Sequence, residues 1–562
     1  MGLSFQASNA ILYLSYGAML LSGLAVAFWH IYKTGSKKDG FLSHNRSSSG
    51  IPLALNFIAS AMGVGVLTTY TQVANIAGIQ GLLVYVLCGC FPIVCFSFFG
   101  PLIRRRCPEG FVLTEWCYQR YGPIMGLWLS AATVLTMFLF MVAELNSMAS
   151  AITSLTGLDS RAGIVVECIV TTIYTSIGGF VVSFITDTIQ GFAVLVVLVI
   201  GVVGFATETH IDTALKKATY QELTGSNKLG WMILYILFVA ILTNDFFMSG
   251  FWLRTFAAKT DKDLYIATSV AALVCAIVST LAGLPGILAV WSGYLQVGDD
   301  MGYDAFFIMV GGMSKWIIGV ILIFCVFLST CTFDSLQSAT VSTISNNLFR
   351  NKFPMWYSRV LVCLIMVPAL VVAIEASANV LQIYFIADLL SSAIVPIMFL
   401  GLSHRFYFLR GLDIIIGNLA AFLAVFIFGT IYYGSAKEGG LLLIINNGVY
   451  DPNDWGAFGA FVIAPVGGVI FGLMAAGIRI GILYLIAKSK GTPFTALEKP
   501  DTITFGVFKD DVLSTDTDEV TECLDIVSSV NGSIIKQVEP ENIRVRDVIE
   551  EFKWKDMLHL LV

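Results

Sequence analysis

The chain has 562 residues, of which 57 % are hydrophobic and only 12 % charged, with a mean hydropathy of +0.82. That composition excludes a soluble enzyme. The stretch from Lys488 to Val562 holds 9 basic and 15 acidic residues and so carries the whole net charge of −6; the rest is neutral, with no basic stripe to bind nucleic acid.

Apolar runs long enough to cross ~30 Å of hydrocarbon need about 20 helical residues. In chain order they predict an all-α polytopic membrane protein with 13 transmembrane helices: 11–32, 51–77, 81–102, 123–156, 161–179, 180–207, 230–257, 264–291, 314–347, 356–375, 380–402, 412–434 and 457–487. The first run lacks the basic flank of a cleaved signal peptide and is expected to be retained. With the N-terminus outside, loops and run ends on the inner side hold sixteen Lys and Arg, against six on the outer side. Cytoplasmic loops carry such an excess, so the acidic tail is expected in the cytosol of an integral protein, in the plasma membrane. The sequons at Asn45 and Asn531 then face inward and should carry no glycan. Of the long outer stretches 208–229, 292–313 and 435–456, the second contains an apolar segment, 304–313, that reads as a short helix, either a lid or a packed loop. Eight of the 11 cysteines lie inside apolar runs, as small hydrophobes rather than a disulfide framework.

Informative residues are those that break the rules of a lipid-embedded helix. The second run reads Ala59-Ser60-Ala61-Met62-Gly63-Val64-Gly65 and then Thr68-Thr69-Tyr70-Thr71-Gln72 halfway across. Two glycines favour local unwinding, which exposes carbonyls to a cation; close packing through small residues is the other reading. In the ninth run Ser329 and Thr330 sit side by side, one turn after Val326. Carboxylates within runs are Glu144, Glu167, Asp187, Asp245, Asp334, Glu375 and Asp388, with Glu144 and Asp388 the strongest candidates for the interior. Asn244 and Asp245 precede an aromatic stretch from Phe246 to Trp252, a mixture that suits a small polar solute.

Tyr174-Thr175-Ser176-Ile177-Gly178-Gly179-Phe180, followed by Thr186-Asp187-Thr188-Ile189-Gln190, resembles the signature of the solute:sodium symporter family, and the segments at 59–65 and 328–330 resemble its broken first and its eighth core helices. The resemblance implies a LeuT-like 5+5 inverted-repeat core with one helix before and two after, and a substrate site near the midplane. In this chain that means an N-terminal helix and first loop at 1–50, repeats at 51–207 and 208–410, two peripheral helices at 411–487 and a cytoplasmic tail at 488–562. It also implies a sodium site made of the carbonyls of Ala59, Met62 and Val326 and the hydroxyls of Ser329 and Thr330, with Asp187 on the ion exit path. Phrases such as Leu102-Ile103-Arg104-Arg105-Arg106-Cys107-Pro108 and Leu242-Thr243-Asn244 are similar to the urea active transporter branch of fungi and plants.

The expected function is therefore symport of a small polar solute, urea or a related nitrogen compound, driven by an inward sodium or proton gradient. Proline and polyamines are alternative solutes. Thr69, Tyr70, Gln72, Asn244, Phe246, Trp252 and Asp388 are the expected substrate contacts. No cofactor is expected beyond the coupling ion, and no enzyme activity, because no triad, phosphate loop or metal-ligand spacing is present. A nutrient sensor signalling through its tail is a competing reading, since Ser514-Thr515-Asp516-Thr517-Asp518-Glu519 resembles an acid-directed kinase site and makes a kinase a candidate partner. A passive channel is a third.

Overall fold

The computed structural model describes residues 3–34, 42–108, 110, 112–348, 354–375 and 379–498. The kinase-like motif expected in the tail and the sequon at Asn531 lie outside these, as do four of the basic residues counted on the inner side, Lys37, Lys38, Arg350 and Lys352. Among the described residues every element is helical, apart from an isolated bridge between Ser48 and Ala258.

The helices are α1 (Phe5–Thr34), α2 (Gly50–Ala61), α3 (Gly65–Arg106), α4 (Leu113–Tyr121), α5 (Pro123–Thr156), α6 (Ser160–Glu208), α7 (Thr213–Thr224), α8 (Lys228–Phe247), α9 (Ser249–Ala257), α10 (Asp261–Gly283), α11 (Pro285–Trp291), α12 (Ala305–Gly311), α13 (Lys315–Thr343), α14 (Met355–Glu375), α15 (Val380–Leu400), α16 (Gly411–Tyr433), α17 (Ala436–Leu442) and α18 (Gly456–Lys490). Local chemistry sets many of their ends. Gly122 at φ 87° and Pro123 open α5, and left-handed Gly157 closes it. Outward faces are apolar, as on α14, where Leu364, Val367 and Val371 are exposed, which suits a lipid solvent.

Eleven of the described helices are long and apolar enough to cross a membrane, against the thirteen expected. The difference falls at two glycines. Tyr70 and Tyr85, both in α3, stack with ring centroids 3.9 Å apart. Fifteen residues of continuous helix would separate them by about 22 Å, so α3 doubles back at Gly78, whose φ of 63° and ψ of −155° glycine adopts readily. The same argument applies to α6. The hydroxyls of Tyr174 and Ser183 hold one carboxylate, that of Asp334, at 2.6 and 3.0 Å, although nine helical residues span about 14 Å. The turn is Gly179, at φ 62° in the Gly-Gly motif. Thirteen counts the arms of these hairpins singly, and as a number of membrane crossings it is part of the proposal below.

Both arms of α6 pack around α13 and α1, α10 lies against α2 and α3, and α15 touches α5, α8 and α18. Glycine lets α16 and α18 approach closely, since a Cβ on Gly417 would lie 2.7 Å from the backbone of Gly468 and Gly472. Arg479 of α18 pairs with Asp413 of α16 at 2.8 Å. The outer stretch expected to hold a short helix does so. In α12, Phe307 and Val310 are fully buried, so it is packed in place.

Candidate functional site

The second predicted run is broken. α2 ends at Ala61, Met62 is extended at φ −115° and ψ 90°, and α3 starts at Gly65. A helix end leaves its last carbonyls and the next helix its first N–H groups without partners. Among the described residues, no backbone N–H outside the helix's own ladder is bonded to the carbonyl of Ala59 or Met62. On the other side of the gap, the Glu144 carboxylate from α5 accepts the N–H of Val64 at 2.6 Å and of Gly65 at 3.4 Å, where the helix dipole favours an anion. Gly63 is required there, because a Cβ would lie 2.3 Å from the Glu144 oxygen.

A second carboxylate lies next to the first. Glu167 of α6 accepts a hydrogen bond from Ser329 and another from Tyr16 of α1 at 3.1 Å, and Ser329 also lies within hydrogen-bonding reach of Glu144. Glu144 and Glu167 are 1 % and 0 % exposed, and among the described residues neither forms an ion pair. Two buried like charges with no basic partner are tolerated only with a proton or a cation between them. Thr330 instead donates to the Val326 carbonyl of its own helix at 2.7 Å. The residues expected to hold sodium are thus all buried, and Ser329 reaches the helix break through Glu144. The arrangement nonetheless centres on two carboxylates, of which Glu167 was not among the expected site residues. Its sequence signal was a lone acid in the middle of an apolar run.

A further break, not expected from the sequence, interrupts the seventh run between α8 and α9, where Met248 is extended. Trp252 closes the gap by donating its indole N–H to the Phe246 carbonyl at 2.7 Å, and both rings pack with Phe96 in an aromatic cluster. Asn244 and Asp245 lie in the last turn of α8, and Thr243 just before them meets Ser391 of α15, one turn after Asp388, at 3.1 Å. Asp388 is 5 % exposed. Thr69 back-bonds to the Gly65 carbonyl, and Gln72 donates to the hydroxyl of Tyr450 in the loop after α17. Of the expected substrate contacts, then, Asn244 and Asp388 share one region with Tyr70, which stacks on Tyr85, whereas Phe246 and Trp252 are packed core.

Asp187, expected on the ion exit path, has a basic partner. Its carboxylate pairs with Arg254 of α9 at 2.7 Å, with both side chains fully buried, and accepts hydrogen bonds from Ser335 and Cys331 of α13. Arg254 also donates to the carbonyls of Asn56 in α2 and Gly250. One guanidinium therefore ties together both broken helices, α6 and α13.

A cavity of about 310 Å³ begins at Met62 and Gly63 and runs past Leu328, Phe324 and Phe306 to Thr209. Its wall is almost wholly apolar, and none of the expected substrate contacts lines it. Near α12, Asp304 accepts the Ser154 hydroxyl at 2.9 Å, and burial pushes its carboxyl up to about 6.

Comparison with known proteins places this geometry. The chain is 58 % identical over 517 residues to the spermidine transporter of Candida albicans, spanning 91 % of this chain and 98 % of that one. Over 195 residues, 33 % of this chain, it is 28 % identical to the probable urea active transporter 1 of Schizosaccharomyces pombe, covering 29 % of that protein. A match of the same length, at 27 % identity, covers 40 % of the sodium/pantothenate symporter of Escherichia coli. Among solved structures, a substrate-bound, outward-open Na⁺-coupled sialic acid symporter superposes with a TM-score of 0.66 at 15 % identity, covering 84 % of this chain and 97 % of its own. A closed nucleobase–cation symporter with bromovinylhydantoin bound gives 0.53 at 15 % identity, covering 83 % and 97 %. Both likenesses are of fold, the LeuT-like helical fold that the sequence motifs imply. Residues 41–406 match the sodium:solute symporter family, so this all-helical membrane protein belongs to that family and is a transporter, not an enzyme.

Proposed function

We propose that the protein is a cation-driven symporter whose solute is a polyamine-class organic cation, taken up across the plasma membrane by alternating access. The observation that carries this is a set of four carboxylates at the two helix breaks, the buried Glu144, Glu167 and Asp388 and the half-buried Asp245, to which no basic side chain among the described residues is paired. Identity to a spermidine transporter over nearly its full length supports the same solute class. Urea, the solute that the sequence favours, is neutral and, with the coupling ion at Glu144 and Glu167, would leave Asp245 and Asp388 uncompensated. Polyamines, the alternative, bring the missing charge.

In this reading the N-terminus is outside, the tail is cytoplasmic, thirteen segments cross the membrane and the repeats are 51–207 and 208–410. Sodium or a proton sits at the first break, where Glu144, Glu167, Ser329 and the free carbonyls of α2 offer oxygen. Ion and solute both have to prefer the same state, because a ligand shifts an equilibrium only by its differential affinity. The Arg254 network closes the opposite end and has to open for release. Purified protein in liposomes tests the reading, with labelled spermidine, urea and proline under separately imposed sodium and proton gradients. Accumulation of spermidine under one of the two gradients is expected; accumulation of urea without spermidine would overturn it.

A further inference from the structure

We infer that Asp388 and Asp245, with the rings of Tyr85 and Tyr384 and the side-chain oxygen of Asn244, form a seat for one alkylammonium group of the solute. This deepens the polyamine reading and rests on it. Three separate features converge. First, the Asp388 carboxylate, 5 % exposed in the middle of α15, takes no hydrogen bond and no ion pair from any described residue, and neither does that of the half-buried Asp245; the hydroxyls of Thr243 and Ser391, 3.1 Å apart, bring the turns of α8 and α15 that carry the two acids together. Second, the Asn244 amide donates its N–H to Met248 sulfur at 3.6 Å, while its oxygen, fully buried, has no donor. Third, the last turn of α8, which carries Asn244 and Asp245, is the negative end of a half-helix with no basic residue in it.

The two carboxylates and the amide oxygen are acceptors without donors, in a negative field. The group that satisfies them is positive and rich in N–H. A primary or secondary ammonium has both properties, and urea has no charge. The aromatic neighbours strengthen the case, since Tyr85 and Tyr384 both lie within electrostatic reach of Asp388, and ring faces hold ammonium groups by cation–π attraction. Tyr85 is fixed by its stack on Tyr70. Tyr384 connects the seat to the first break, because its hydroxyl lies so near Gly65 that a Cβ there would approach it to 2.2 Å, and it also senses Glu144. Filling the seat is thereby felt where the coupling ion binds.

The test is spermidine uptake into liposomes by the full-length protein and by Asp388→Asn, Asp245→Asn and Asp388→Glu, with putrescine and the uncharged 1,4-butanediol as competitors. Putrescine is expected to compete in the wild type and the diol to fail. Each Asp→Asn variant is expected to raise the KM for spermidine and the inhibition constant of putrescine at least about tenfold, and Asp388→Glu to recover part of the loss, which a folding defect would not show. Wild-type KM in both Asn variants would overturn the seat while leaving the polyamine reading intact. Lost ion dependence with an unchanged amine KM would also overturn it, by making the pair an ion site. Wild-type vesicles that ignore spermidine would overturn the polyamine reading and the seat with it.

Discussion

Tyr16 sits on the first helix, α1, yet its hydroxyl reaches Glu167 at the first helix break. Tyr16→Phe keeps the ring packed and removes one donor to a buried carboxylate, an interaction of about 1.5–3 kcal/mol when the acceptor is charged. The expected result is a several-fold change in the half-saturating concentration of the coupling ion in uptake assays, with the spermidine KM unchanged. Arg254 poses the opposite case. Arg254→Ala leaves Asp187 buried and unpaired, a loss of about 3–5 kcal/mol, and Arg254→Ala with Asp187→Ala together should recover part of it; thermal unfolding in detergent reads both. Asp304 supplies a pH dependence. Its carboxyl is raised in the folded state to about 6 from an ordinary value of 3.8, so the stability that it contributes is full below about pH 4 and fades as pH rises through 6. Asp304→Asn should flatten that slope in melting curves taken from pH 4 to 7. Few of these partnerships were legible in the sequence. Glu144 stood out as an interior acid, but its neighbour Glu167 is 162 residues from Ser329 in the chain, and no local pattern links them.

At the scale of elements, the hairpin turns were legible because glycine clusters mark them. The predicted boundary between 179 and 180 coincides with left-handed Gly179. At Gly78 the conformation and the packing both require glycine: φ is positive, and a Cβ would lie 2.2 Å from the Leu223 carbonyl of α7, which covers the turn. Gly78→Ala should therefore lower stability by about 1–3 kcal/mol and loosen α7, read as a lower melting temperature and faster proteolysis between 208 and 229. The first helix break announced itself through two glycines, the second did not. Met248-Ser249-Gly250 has one glycine after a strongly apolar stretch, and the extended Met248 is held by tertiary contacts such as the bond from the Trp252 indole. Pro285, at the first turn of α11, interrupts the eighth predicted run more mildly, since Leu284 keeps helical dihedrals, and there Gly283-Leu284-Pro285-Gly286 is a readable signal.

The whole molecule sets the energetics of transport. Each positive charge moved inward gains ~2.3 kcal/mol per 100 mV of inward-negative potential, so a trivalent amine carried with one cation responds about four times as steeply as a neutral solute carried with one cation. Imposing potassium-diffusion potentials on liposomes should show spermidine uptake rising with inside-negative voltage and collapsing when the potential is removed; voltage-independent uptake would contradict a polycationic solute. Composition, hydropathy period and a few glycine-centred motifs were enough to determine an all-helical membrane transporter, its family and the place of its first helix break, because each depends on residues close together in the chain. Only the tertiary structure decided which carboxylates share a site, that Asp187 is neutralised by Arg254, and that the helix turns carrying Asp245 and Asp388 lie side by side. A buried charge is governed by its nearest neighbours in space, and those come from helices that the sequence keeps far apart.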